Sequence, residues 1–125
     1  MLRHSTTLAF DLYWSMGVCR KHRMLHHSCF SSALRAIEYF GGVKKLFIIY
    51  FRNVSALLPI FHEAYLNEGY MDMYKIIRTL RKVDFDGVLI ADHWPTSVAG
   101  PLVSHVYTID YIQSLIERAN EEPLG

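Results

Sequence analysis

A chain of 125 residues, 51% hydrophobic and 20% charged, has ordinary globular composition and apolar material for one modest core. Thirteen Lys and Arg against twelve Asp and Glu leave a net charge of +1, so no global field points to nucleic acid, an anionic membrane or a strongly acidic partner. Two cysteines are too few for a disulfide framework, and no apolar run approaches the roughly 18 residues of a membrane helix.

The opening residues Met1-Leu2-Arg3-His4-Ser5 lack the apolar core of a secretion signal, so a soluble, cytoplasmic protein is expected. Residues 6–13 are predicted to contain a strand that ends between Asp11 and Trp14. The segment from Gly17 to Ser28 then crowds Cys19, Arg20, Lys21, His22, Arg23, His26 and His27 together without apolar periodicity, which reads as a basic loop or linker. Residues 1–31 are accordingly expected to form a divergent, partly disordered N-terminal segment.

A helix is predicted over residues 32–40, because Ala33, Ala36, Ile37 and Phe40 share one face and Ser31 or Ser32 can cap its start. Gly41-Gly42 is the expected stop. Residues 45–51, Lys-Leu-Phe-Ile-Ile-Tyr-Phe, are the strongest strand of the chain and look buried on both faces, as in a parallel sheet. Arg52 and Asn53 follow at its carboxyl end.

Met73, Ile76, Ile77, Leu80 and Val83 recur at helical spacing, with Lys75, Arg78, Arg81 and Lys82 expected to face water and Asp72 placed for the first turn. Next comes Gly87-Val88-Leu89-Ile90-Ala91-Asp92-His93-Trp94-Pro95, a second short apolar run suited to a strand buried on both faces, closed by the polar pair Asp92-His93. Strand, helix, strand makes a βαβ unit with parallel, adjacent strands. A loop over residues 95–101 leads to a last amphipathic helix carrying Ile109, Ile112, Ile116 and Ala119, with Ser104 or Thr108 as its cap. Residues 120–125 read as a frayed tail.

The carboxyl ends of parallel strands are where α/β proteins gather binding and catalytic groups, since the loops vary while the strand holds the first residue rigidly. Asp92 and His93 stand at such a place. A carboxylate supplies a hard oxygen ligand or a base, and an imidazole supplies an acid, a base or a nitrogen ligand near neutral pH. The competing structural reading is an Asp that caps the next turn beside a surface His.

Four segments in order, Tyr50-Phe51-Arg52-Asn53-Val54, Phe61-His62-Glu63, residues 67–74 (Asn-Glu-Gly-Tyr-Met-Asp-Met-Tyr) and residues 85–95, together with the helix before them, resemble the C-terminal part of mannonate dehydratases. The resemblance spans roughly residues 33 to 119. It implies an α/β fold, a partial TIM (β/α)8 barrel made of its last two or three β-α units, in residues 32–119. It also implies a lyase of hexuronate (glucuronate) catabolism that dehydrates D-mannonate to 2-keto-3-deoxy-D-gluconate with a divalent metal, Mn2+ or Fe2+. In that family the Asp of the Asp-His-x-Pro motif binds the metal and the His acts in acid/base catalysis, which maps onto Asp92 and His93. Arg52 is suited to a substrate carboxylate through its planar fork, with a salt bridge to a neighbouring strand as the alternative. Asn53 and Glu63 are candidates of the same kind.

The chain departs from the family at other ligands. Tyr50 stands where a metal-binding His is expected, and a phenol is a poor replacement. The strand end that should carry a Cys ligand offers Tyr13, with Cys19 several residues further on. A complete barrel needs roughly 200 residues or more, so the chain is expected to be a fragment or truncated relative, a half-barrel that pairs with a copy of itself, or a small open α/β domain; as a fragment it should be inactive by itself and prone to self-association through uncovered apolar surface. The alternative function is a degenerate, non-catalytic α/β scaffold or interaction module. A zinc site from Cys19, His22, His26, His27 and Cys29 has the right ligand types, but lacks a second pair at finger-like distance.

Overall fold

The computed structural model describes residues 8–11, 28–56 and 60–124. The loop expected from Gly17 and the zinc reading built on Cys19, His22, His26 and His27 lie outside them. In chain order the elements are β1 (Leu8–Asp11), α1 (Ser28–Gly42), β2 (Leu46–Phe51), β3 (Asn53–Val54), β4 (Glu63–Ala64), α2 (Met73–Lys82), β5 (Val88–Ala91) and α3 (Pro101–Glu121).

β1, β2 and β5 form an open, wholly parallel sheet with β2 in the middle. Ile48, Ile49, Tyr50 and Phe51 stand opposite Val88, Leu89, Ile90 and Ala91, so the two strand ends finish level and Arg52 and Asp92 leave the sheet side by side. The expectation of two adjacent parallel strands joined through a helix is met. The separate step β3 to β4 is antiparallel, with Val54 opposite Glu63.

Alternation along the strands decides which side the helices cover. Ile49 and Phe51 are fully buried and join Leu89 and Ala91 in a core with Ile37 of α1, Ile76, Ile77 and Leu80 of α2, and Ile112, Leu115 and Ala119 of α3. The three helices lie side by side, α1 against α2 and α2 against α3. Each fully buried aliphatic side chain of this layer contributes about 1.5–3 kcal/mol. The opposite face is different. Val88 is 57% exposed, Ile90 37%, and Ile48 and Tyr50 are only partly covered. Burial on both faces, expected from the apolar runs, is therefore corrected: one face of the sheet is bare among the described residues. An apolar run reports a strand that suits burial on both sides, and cannot report whether a second layer is there.

Helix ends also differ from expectation. α1 begins at Ser28 and continues through Gly41 and Gly42. Gly41 is buried against Val83, where an added Cβ would fall 2.4 Å from Val83 Cγ2, so this glycine permits close packing of α1 on the end of α2 and does not end the helix. Asp72, expected in the first turn of α2, stands just before it as the N-cap, its carboxylate accepting a hydrogen bond from the Lys75 amide at 3.0 Å. α3 starts at Gly100 and Pro101, a turn or more before the expected cap. Ser104 and Thr108 sit inside it and are buried, the Thr108 hydroxyl donating to the Ser104 carbonyl at 2.8 Å.

The far end of α3 is latched and not frayed. Glu122 accepts hydrogen bonds from the Tyr74 hydroxyl at 2.5 Å, Arg78 at 3.0 Å and Arg118 at 2.9 Å. Arg118 also lies 3.9 Å over the Tyr74 ring. Arg81 donates to the carbonyls of Ala119 and Glu122, two groups that the helix end leaves without internal partners. Arg78 and Arg81, expected to face water, are instead the cations that hold α3 on α2. Hydrogen bonds from Tyr74 and then Arg118 hold the Glu122 carboxyl below the usual carboxylate range, and the Glu122 bond raises Arg118.

Candidate functional site

The level ends of β2 and β5 bring the sequence-predicted residues into one place. The amide of Asp92 donates to the Phe51 carbonyl at 3.1 Å, a last rung that ties the start of one site loop to the end of the neighbouring strand. His93 follows with φ +50°, a left-handed conformation unusual for a residue with a side chain and common at constrained functional positions. Its Nε2 is 3.6 Å from Asp92 Oδ1, and its Nδ1 is 4.0 Å from Glu63 Oε1.

Glu63 arrives through the β3–β4 step, which folds the chain back on itself immediately after β2. Its Oε1 accepts from Arg52 Nη2 in an ion pair whose side chains are 7% exposed for Arg52 and 26% for Glu63. Glu63 Oε2 is buried with no hydrogen-bond partner among the described residues. Arg52 is thus engaged by a neighbouring carboxylate and is not turned out as a free fork.

Asn53 is completely buried. Its Nδ2 donates to the carbonyls of Leu66 and Met71 at 2.9 and 3.0 Å, while Oδ1 accepts from the amides of Val54 and Met71 at 3.0 and 3.2 Å. Every hydrogen-bonding position of the amide is used, so the side chain braces the loop that carries Glu63 and has no surface to offer a ligand. Gly69 is part of the same brace: a Cβ there would fall 2.0 Å from Asn53 Cγ.

Tyr50 lies half-buried on β2, in register with Asp11 on one side and Ile90 on the other. Nearby, the burial of Tyr70 pushes its phenol up to about 12. Among the described residues no group of three or more His, Cys, Asp or Glu is arranged to hold a metal ion. The donors among the described residues do not by themselves make a site for the manganese or iron that the resemblance implies, and no chemistry is assigned to a metal.

Sequence reasoning named the four residues that meet but missed what fastens them to α3. Trp94 stacks on His105 with ring centroids 4.4 Å apart, the Tyr65 hydroxyl and Ser104 Oγ lie 2.8 Å apart, and Tyr107 donates to Asn67 at 3.1 Å. Tyr107 and Tyr111, one turn apart and stacked, were the available signal. A cap at Thr108, one of the two expected, would start the helix too late for that signal to be used.

No helix among the described residues is long and apolar enough to cross a membrane. No protein-family model matches the chain, and no curated protein matches it in sequence. Its fold is similar to the crystal structure of mannonate dehydratase from Streptococcus suis serotype 2, with a TM-score of 0.59 and 24% sequence identity over 70% of this chain. The chain spans 28% of that protein's length, and a likeness at this identity speaks for the fold: a mixed α/β chain with an open parallel sheet and three helices.

Proposed function

We propose that this chain carries C-terminal β-α units of a (β/α)8-barrel lyase of hexuronate catabolism, similar to mannonate dehydratase, which takes D-mannonate to 2-keto-3-deoxy-D-gluconate and water. The observation that carries the reading is the meeting of Arg52, Glu63, Asp92 and His93 at the level ends of two adjacent parallel strands. Such a dehydration breaks a C–H bond beside the carboxylate and a C–O bond on the next carbon, so it needs a group to take one proton and a group to give one to the leaving hydroxyl. His93, the most exposed of the four, is the acid/base group in this reading, and Asp92 is the carboxylate beside it. No step is routed through a divalent ion. The bare sheet face supports placing these strands in a larger barrel and supports the expectation that the chain by itself is inactive.

The alternative, a non-catalytic α/β scaffold, is favoured by one observation: Arg52, suited to a substrate carboxylate, is already held by Glu63. Two measurements separate the readings. Manganese-dependent release of 2-keto-3-deoxygluconate is expected to be absent for the isolated chain, and Tyr50→His alone is expected to restore nothing. Adding D-mannonate is expected to move the backbone amide resonances of Glu63, Asp92 and His93. Site amides that stay still while mannonate is raised to saturating concentration mark the chain as a scaffold, and robust release by the unaltered chain overturns the inactive part of the proposal.

A further inference from the structure

The site contains a carboxylate oxygen that nothing answers. Arg52 takes Glu63 Oε1, whereas Oε2 is buried and has no hydrogen-bond partner among the described residues. A carboxylate oxygen cut off from both water and donors is unfavourable; besides the Arg52 guanidinium already on Oε1, the side chain facing this carboxylate is His93, whose Nδ1 lies 4.0 Å from Oε1. That separation is too long for a hydrogen bond, as is the 3.6 Å from His93 Nε2 to Asp92 Oδ1. The imidazole is 56% exposed, so a modest turn of the ring can close either gap.

Solvent decides between the two carboxylates. Asp92 is partly exposed and can be hydrated, whereas Glu63 Oε2 has no contact with water to replace the missing donor. We infer that Glu63, held in place by Arg52, is the positioning residue of His93: its carboxylate accepts a hydrogen bond from Nδ1–H and leaves Nε2 as the bare nitrogen presented to a ligand beside Asp92. A histidine whose Nδ1–H is tied to a carboxylate has its ring orientation and tautomer set together, and the free nitrogen becomes the working one. The inference rests on reading His93 as the acid/base group of the site. The tautomer is measured without substrate or turnover, so its failure is separate from failure of the proposed activity.

The test is long-range proton–nitrogen NMR on the full 125-residue chain, at a pH where the imidazole is neutral, with the His93 signals assigned by their loss in His93→Gln. The expected result is an Nδ1 resonance in the N–H range and an Nε2 resonance in the bare-nitrogen range, the reverse of the usual preference of a free imidazole. Glu63→Gln is expected to return His93 to the Nε2–H form, and Asp92→Asn to leave it unchanged. If Glu63→Gln does not fold, Glu63→Asp withdraws the carboxylate by one methylene and is expected to give the same reversal. An Nε2–H tautomer in the unaltered chain, or a tautomer that responds to Asp92→Asn and not to Glu63 substitution, overturns the inference.

Discussion

Arg52 and Glu63 form an ion pair across the antiparallel step that follows the central strand, with Arg52 almost completely buried. Removing one partner of such a pair leaves the other charge without compensation, which costs about 3 kcal/mol where water has little access. Arg52→Ala and Glu63→Ala are each expected to lower stability by about that amount, whereas the apolar double replacement Arg52→Met with Glu63→Leu is expected to lose much less than the sum. Urea denaturation at neutral pH measures all three.

Asn53 makes four hydrogen bonds from complete burial. Asn53→Ala strands two carbonyls and two amides, each worth about 1 kcal/mol, so a loss of about 4 kcal/mol is expected. Asn53→Asp should be worse, because a carboxylate oxygen would then face the carbonyls of Leu66 and Met71 in place of a donor. Amide hydrogen exchange at Val54 and Met71 reports the local release, and thermal unfolding reports the total.

Acid should loosen the α2–α3 latch. The Glu122 carboxyl is held lower in the folded chain than in the unfolded one, first by the Tyr74 hydrogen bond and then by Arg118. A depressed carboxyl gives stability that is fully present above its ordinary value of 4.5 and is lost as pH falls through the lower folded value. Glu122→Gln is expected to flatten the acid limb of a urea-midpoint profile. A limb unchanged by Glu122→Gln assigns the acid loss to other carboxylates.

Base should act through Tyr70. Burial raises its phenol from 10.0 to about 12, so the stability it contributes is complete below 10 and is lost as pH climbs from 10 toward 12. Tyr70→Phe has no proton to lose and is expected to hold its urea midpoint across that interval while the unaltered chain declines.

The bare sheet face should make the chain associate. Val88 and Ile90 on β5 are exposed where an apolar strand normally meets a second layer. Sedimentation velocity is expected to show concentration-dependent association, reduced in Val88→Thr/Ile90→Thr, which keeps β-branching while removing apolar surface. A monomer at all concentrations identifies the three strands and three helices as self-sufficient.

Local chemistry was enough to locate most elements. The strand at residues 45–51, the helix at residues 73–83 and the parallel βαβ order follow from a continuous apolar run, helical spacing and chain connectivity, all of which are written within a few residues. The same locality placed Asp92, His93 and Arg52 at strand ends. Tertiary structure alone decided the partners. Glu63 reaches Arg52 and His93 because the β3–β4 step folds a separate segment back onto the strand end, a contact between residues 11 and 30 positions apart that no short-range pattern encodes. It also turned Asn53 from a ligand-binding candidate into a brace, by closing a loop around its amide, and Arg78 and Arg81 from solvated cations into anchors for α3. A side chain's type states which bonds it can make. Which of them it does make depends on what long-range folding leaves within reach once water has been excluded.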